Sequence, residues 1–298
     1  MRIGIDIGGT KAVVAAVDET GRILRREKIA TGENAPCRDM IRLAAQKAAE
    51  MAGSAAQLDS VGIGIPGTVD ATGKMAVCAP NIGWRNEPVA AYFEEETGIS
   101  PFLAQDTRAA AWAEFRNEPM RKKRCVVCVT LGTGIGCGIV LNGKIWHGAL
   151  GTAGEIGHIP VRNGGRVCNC GRKDCMEAYA SGTGMARTAR ELGLCHTTEE
   201  LFVLAQKGNT EAMRVIEEAT EDASNGLVAV VNLLSPDALL FSGGLSAQNT
   251  LFVEPLMALI RKKTYQSALT DDLYMGPALL GQDAPVIGAA FLREAFEK

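Results

Sequence analysis

The sequence predicts an α/β protein of two domains, each built on one copy of a repeated strand unit, with a metal-braced loop in the second. Three observations predict it. Strand-patterned segments alternate with segments of helical period along the chain. A unit of strand, glycine–threonine turn and strand occurs at Ile5–Val17 and again at Val126–Leu141, about 120 positions apart. One His and three Cys, His158, Cys168, Cys170 and Cys175, gather in one short segment.

In chain order, Ile3 to Ile7 is an apolar strand that breaks at Gly8-Gly9-Thr10. Ala12 to Val17 resumes a strand, Asp18 to Gly21 turns the chain, and Ile23 to Ile29 is a third strand. Two glycines and a Thr bring backbone N–H groups and a hydroxyl together. The turn is either a phosphate cradle, with Asp6 placed to hold a metal ion or a water beside it, or an ordinary glycine hairpin. It matches neither the P-loop nor the Rossmann spacing. Pro36 to Ala52 has helical period and Val61 to Gly67 reads as a buried strand ending in a Pro-Gly turn. Ala79 to Trp84 is expected as a loop, in which Asn81 either binds a polar ligand or stabilises its own turn. Glu87 to Thr97 reads as a helix and Phe102 to Ala104 as a short strand. Asp106 stands at the start of a helix from Thr107 to Phe115, as an N-terminal cap or as a general base on a hydroxyl.

Arg121 to Arg124 is a basic run between apolar strands, read as a solvated linker, and the main domain boundary is placed there. The repeat follows: strand Val126–Leu131, turn Gly132-Thr133-Gly134, strand Ile135–Leu141, then a turn at Asn142-Gly143. Two such turns facing one another across a cleft suit a nucleotide triphosphate, whose charge must be held from both sides. Helices are expected at Thr183–Leu192, Thr198–Lys207, Thr210–Leu234 and about Thr250–Lys263. A strand at Ala238–Phe241 leads into a third glycine turn, Ser242 to Ser246, where Gly243 and Gly244 let a ligand approach backbone and helix N-terminus. Leu273–Met275 is a last strand and Pro285–Phe296 a terminal helix.

The His/Cys segment offers a full tetrahedral zinc ligand set, with the spacing Cys-x-Cys-x4-Cys and the His ten residues upstream. A closed Cys3His shell leaves no open position for water, so the metal is read as structural. Glu155 and Glu177 bracket the ligands, and the second ring nitrogen of His158 is expected to face a substrate.

The chain has 298 residues, enough for two domains with sizeable cores. Its net charge of −3 gives no general attraction to nucleic acid or to an anionic membrane. No apolar run is long enough to span a bilayer, and the start of the chain reads as a strand, without a signal peptide. Nine cysteines, an odd number, argue for reduced cytoplasmic thiols rather than a disulfide framework. Cys78, Cys125, Cys128 and Cys137 lie in apolar contexts and are read as buried packing residues; the CxxC of Cys125 and Cys128 is a strand interior.

The motifs Asp6-Ile-Gly-Gly-Thr-Lys11, Gly64-Ile-Pro-Gly67, Leu131-Gly-Thr-Gly-Ile-Gly136, Gly154-Glu-Ile-Gly-His158, the Cys168–Glu177 run and Ser242-Gly-Gly-Leu245 together resemble the ROK family of sugar kinases, its bacterial glucokinases in particular. The resemblance runs nearly end to end. It implies two actin-like (ribonuclease H-like) domains, residues 1–118 plus 285–298 and residues 119–284, with the active site in the cleft between them. Domain closure would exclude water, which competes with the sugar as acceptor. The implied activity is ATP-dependent phosphorylation of a hexose at its 6-hydroxyl, glucose first. N-acetylmannosamine, N-acetylglucosamine, allose and fructose are alternatives. So is a non-catalytic or regulatory sugar-binding protein, although the regulators carry an N-terminal helix-turn-helix for which the early Asp6 leaves no room.

By resemblance Asp106 is the catalytic base. Gly67, Asn81, Gln105, Glu155, His158 and Glu177 join it in binding the sugar. Asp6 organises Mg²⁺. Gly8, Gly9, Thr10, Lys11, Gly132, Thr133 and Gly134 face the phosphates of ATP, with Gly243 and Gly244 near the nucleotide. A homodimer is the implied assembly. The family's zinc pattern has Gly where this chain has Asp174, and Asp tolerates left-handed backbone better than most residues. Around the base the family reads Asn-Asp-x-Asn, and this chain reads Gln105-Asp106-Thr107-Arg108. Gln105 moves its amide by one methylene, which bears on which hydroxyls fit. Arg108 either points inward and lowers the pKa of the base, or points outward as a surface charge.

Overall fold

A computed structural model of the chain describes residues 1–31, 35–265 and 273–297. The chain forms two compact units. Unit 1 takes Met1–Arg124, Gly138–Ala153 and Leu279–Lys298, and unit 2 takes Cys125–Cys137 and Gly154–Ala278. The expected division kept 119–284 together. The contacts instead assign 138–153 and the segment from Leu279 to unit 1, because these stretches pack on its helices and strands. Gly138, for example, lies directly against the Thr107 carbonyl and the Cα of Arg108.

Unit 1 opens with β1 (Arg2–Ile7), β2 (Lys11–Val17) and β3 (Ile23–Ala30), then α1 (Cys37–Ala52) and β4 (Ser60–Ile65). Three short strands follow, β5 (Thr68–Val69), β6 (Ala76–Ala79) and β7 (Trp84–Glu87), then α2 (Val89–Thr97), β8 (Phe102–Gln105) and α3 (Asp106–Arg116). The main sheet has the order β3-β2-β1-β4-β8, antiparallel from β3 to β1 and parallel from β1 to β8. Successive residues of β1 point to opposite faces. Ile3, Ile5 and Ile7 are fully buried in a cluster with Met40, Ile41 and Phe93 from α1 and α2.

In unit 2, β9 (Cys125–Leu131) begins a sheet whose second strand, β10 (Ile135–Leu141), runs on into unit 1, followed by β11 (Lys144–Ile145). After the His/Cys segment come α4 (Glu177–Ala180), α5 (Gly182–Glu191), α6 (Thr198–Gln206), α7 (Thr210–Leu234), β12 (Ala238–Ser242), α8 (Glu254–Lys263) and β13 (Tyr274–Pro277). The sheet order is β11-β10-β9-β12-β13, with β9, β12 and β13 parallel. The helices have the sequence's capping signals. Asn209 Oδ1 accepts the Ala212 N–H at 2.9 Å, and Thr197 and Glu200 form a capping box on α6.

The chain closes in unit 1 with α9 (Ala284–Ala290) and α10 (Leu292–Phe296). On the face of β1 opposite the isoleucines, Gly4 receives α9, where an added Cβ would overlap the Val286 carbonyl oxygen. On its other side Gly288 meets α3 so closely that a Cβ would overlap the Ala109 carbonyl oxygen.

Several elements differ from their expectation. The terminal helix is two helices, broken at Phe291, whose freed carbonyl accepts the Trp112 Nε1–H at 3.0 Å. The helix expected from Thr250 begins as a π-helical turn, Asn249–Val253, because Pro255 in the first turn of α8 has no N–H to donate to a regular ladder. Glu87 ends a strand, and α2 starts after Pro88. The stretch 79–84 is not a plain loop: β6, a single 3-10 turn and β7 form a small sheet with β5. Cys125, Cys128 and Cys137 are buried, but Cys78 is half-exposed.

Candidate functional site

In unit 1 the functional residues collect at the C-terminal ends of the parallel strands, where open α/β sheets present their ligands. Asp6 is near the end of β1, and Asp106 follows β8 as the first residue of α3. β4 lies between them. A Cβ built on Gly64 would stand 3.2 Å from Asp6 Oδ1 and 3.7 Å from Asp106 Cα, so the absence of a side chain there brings the two acids together. Burial first, and then the Asp106 carboxylate, pushes Asp6 up to about 7, with Lys11 drawing it part of the way back. Two acids this close in a dry site favour a cation between them. Asp106 is half-buried, and its Oδ1 accepts the Thr107 N–H at 2.7 Å, while the residue preceding the helix is Gln105. Asp106 is thus a first-turn acid with part of its carboxylate engaged on its own helix.

Gly8, Gly9 and Thr10 form the turn from β1 to β2. The Gly8 N–H donates to the Lys11 carbonyl at 2.9 Å, and Thr31 holds the turn from outside through Gly8 and Thr10. Gly9, Thr10 and Lys11 are exposed. Asn81 is also exposed, and its turn is closed by backbone alone, Gly83 N–H to Pro80 carbonyl at 3.2 Å. Its amide is not spent on its own turn. Gly67 is packed instead: a Cβ there would overlap the Cys78 carbonyl, so its smallness serves the join of β5 to β6.

In unit 2 a pocket of about 450 Å³ is lined by Gly132, Thr133, Thr183, Arg190, Phe202 and Gly244, among others. The 132–134 turn is closed by Gly132 N–H to Gly134 carbonyl at 3.0 Å, and the Gly182 N–H donates to the Gly132 carbonyl at 2.8 Å. That bond sets the N-terminus of α5 against the turn, and backbone N–H groups at a helix N-terminus attract phosphate. Gly243 has φ 88°, and a Cβ on it would overlap the Leu131 carbonyl, so the third glycine turn closes directly on the end of β9. Sequence reasoning expected this helix, at Thr183–Leu192, but gave its N-terminus no part in the site and missed Arg190 and Phe202. The spelling Gly182-Thr183-Gly184, which repeats Gly132-Thr133-Gly134, was the signal available.

The His/Cys segment converges. One ligand atom from each of His158, Cys168, Cys170 and Cys175 lies within 4.8 Å of the others. His158 Nδ1 is 3.8 Å from Cys168 Sγ, and Cys170 Sγ is 3.6 Å from Cys175 Sγ. Zinc bonds of about 2.3 Å to sulfur and 2.0 Å to nitrogen put tetrahedral ligands roughly 3.5–3.8 Å apart, so the residues fit such an ion. Burial and the neighbouring thiols push Cys175 up to about 12, a cost that a bound cation removes. Asp174 is left-handed at φ 64°, and its carboxylate accepts the N–H groups of Gly164 and Gly165 at 2.8 and 2.7 Å and the Tyr179 hydroxyl at 2.8 Å. Arg162 ties the segment to α7 through Asp222 at 2.7 Å.

The acids flanking the cluster differ from one another. Glu155 Oε2 lies 4.0 Å from His158 Nε2, so the second ring nitrogen is turned toward that carboxylate. Glu177 Oε2 accepts the Ile135 N–H at 2.8 Å, and its Oε1 lies 4.0 Å from Cys168 Sγ. Glu177 therefore bridges the cluster and the strand leaving the 132–134 turn.

A fold of this kind, with glycine turns at its strand ends and a Cys3His cluster beside one of them, defines a class: the chain belongs to the ROK family, whose model matches residues 2–295. Among particular proteins, it is 33% identical to a glucokinase of Streptomyces coelicolor, over 98% of this chain and 97% of the other. It is 31% identical to an N-acetylmannosamine kinase of Citrobacter koseri, over 98% of both. Among solved structures, a ROK family glucokinase from Streptomyces griseus in complex with glucose and AMPPNP matches with a TM-score of 0.82 and 34% identity, over 98% of this chain and 99% of that one.

Proposed function

We propose that the protein is an ATP-dependent hexokinase that phosphorylates a hexose, glucose first, at its 6-hydroxyl. The observation that carries this is Glu177. One carboxylate oxygen holds the strand leaving the 132–134 turn and the other stands 4.0 Å from the His/Cys cluster, so a sugar-type acid and a phosphate-type turn are built as one piece. Glucokinases at 30–33% identity over nearly the whole chain support the substrate class. The Citrobacter relative, together with Gln105 in the family's Asn position, keeps N-acetylmannosamine as the second reading.

In this proposal Asp106 takes the proton of the attacking hydroxyl as the sugar oxygen bonds to the γ-phosphorus. The bond from that phosphorus to the bridging oxygen breaks, leaving ADP. Asp6 would hold Mg²⁺, which when bound neutralises phosphate charge. Gly8, Gly9, Thr10 and Lys11, and Gly132, Thr133 and Gly134, would face the phosphates, with Gly243 and Gly244 beside the nucleotide in the unit 2 pocket. Asn81, Gln105, Glu155, His158 and Glu177 would take the remaining hydroxyls. Zinc on His158, Cys168, Cys170 and Cys175 would hold the sugar-binding acids in register. The odd count of nine cysteines supports a reducing, cytoplasmic setting. No described helix is long and apolar enough to cross a membrane. The assembly proposed is a homodimer, to be read by light scattering.

The test is ADP release with glucose, N-acetylmannosamine, N-acetylglucosamine, allose and fructose, for the wild type and Asp106→Ala. The expected result is turnover with glucose, lowered about 10³-fold or more in the variant with sugar binding retained. Binding without turnover by the wild type would identify a non-catalytic sugar-binding protein instead.

A further inference from the structure

Arg108 has no part in the chemistry above, yet it is among the largest fully buried side chains of the protein, 1% exposed. It does not point to the surface. Its Nη1 donates to the Gly151 carbonyl at 2.8 Å and its Nη2 to the Ala153 carbonyl at 2.6 Å. The guanidinium fork thus grips two carbonyls of one turn from a helix position two residues after Asp106.

The gripped turn is tight. The Ala153 N–H donates to the His147 carbonyl at 3.0 Å. Gly148 and Gly151 are left-handed, with φ of 70° and 71°, and a Cβ on Gly151 would overlap the Val69 carbonyl oxygen. His147 opens the turn with its ring stacked on Phe296, centroids 5.0 Å apart. Burial, and then the Arg108 charge, pushes this imidazole down to about 4, so it packs as a neutral ring. Beyond Ala153 the chain runs through Gly154 straight into Glu155.

We infer that Arg108 is a positioning residue for sugar binding: its fork fastens the 147–153 turn to the helix that Asp106 begins, and so fixes the point from which the chain reaches Glu155. This rests on the sugar-kinase reading of the same residues. A lysine carries the charge without the fork and cannot hold both carbonyls in one plane. An asparagine, the residue of the family's usual pattern here, lacks the length.

The test uses the full chain with Arg108→Met and Arg108→Lys, by amide hydrogen exchange and steady-state kinetics. In Arg108→Met, amides 148–154 exchange about tenfold faster or more, because the two bonds that order the turn are gone. The sugar KM rises about tenfold or more while the KM for ATP stays within about twofold. Arg108→Lys falls between the two and decides the matter if the Met variant does not fold. An unchanged sugar KM in a folded variant, or unchanged exchange, overturns the inference alone. A wild type that neither binds nor phosphorylates any hexose overturns the kinase reading, and the inference with it.

Discussion

At the scale of single residues, the most informative group is Asp6. A carboxylate pushed up to about 7 binds its proton in the folded state over a range where the unfolded chain has lost it. Between pH 4 and 7 the folded state therefore holds more protons, and stability falls as pH rises, with a slope from this group of up to about 1.4 kcal/mol per pH unit. Denaturant titrations of metal-free protein across that window should show the slope, and Asp6→Asn should flatten it. An equal slope in the variant would assign the effect elsewhere. Added Mg²⁺ should also flatten it if Asp6 is a ligand, since the ion favours the carboxylate. Asp6 was legible in the sequence by its place before Gly8-Gly9. Its proximity to Asp106 was not, because a distance of 100 positions in sequence is closed only by the strand order β1-β4-β8.

At the scale of elements, the His/Cys segment shows how a departure from a family pattern is absorbed. Asp174 stands where the family has Gly, in backbone that suits Gly, and offsets the strain with three accepted hydrogen bonds. Asp174→Gly should relieve the backbone yet destabilise the protein by about 1–3 kcal/mol, because buried N–H and O–H donors lose their acceptor. Chemical denaturation measures it, and a stabilised variant would show that the backbone strain dominates. For the metal, elemental analysis should find about one zinc per chain. Chelation should weaken hexose binding before nucleotide binding, since His158 belongs to the cluster and Glu155 and Glu177 flank it. A metal-free protein with full activity and unchanged melting would remove zinc from the account. The alternation of strands and helices was readable from period alone. The break at Phe291 and the π turn at Asn249 were not, because each depends on a partner or a missing donor that periodicity does not encode.

At the scale of the whole molecule, the modest net charge of −3 leaves specificity to local groups. Ligands that bind only the folded chain raise its stability by mass action, about 2.7 kcal/mol at a hundred times Kd. Glucose and a non-hydrolysable ATP analogue should each raise Tm, and together by more than either alone. No shift with any hexose would argue against the kinase proposal. The chain's division into units was half legible. The repeat announced two units, but residues 138–153 and the segment from Leu279 join unit 1 through packing that sequence order conceals.

The sequence by itself determined the repeated strand–turn–strand unit, the glycine turns and the His/Cys spacing, because these depend on local backbone conformation and on residue chemistry within a short span. Only the tertiary structure decided which way Arg108 points, what Glu177 holds, and that the N-terminus of α5 abuts the 132–134 turn. Each of these is a contact between segments far apart in the chain. Such contacts are set by how strands order and helices pack, and the alternatives left open in the sequence differ only in that packing.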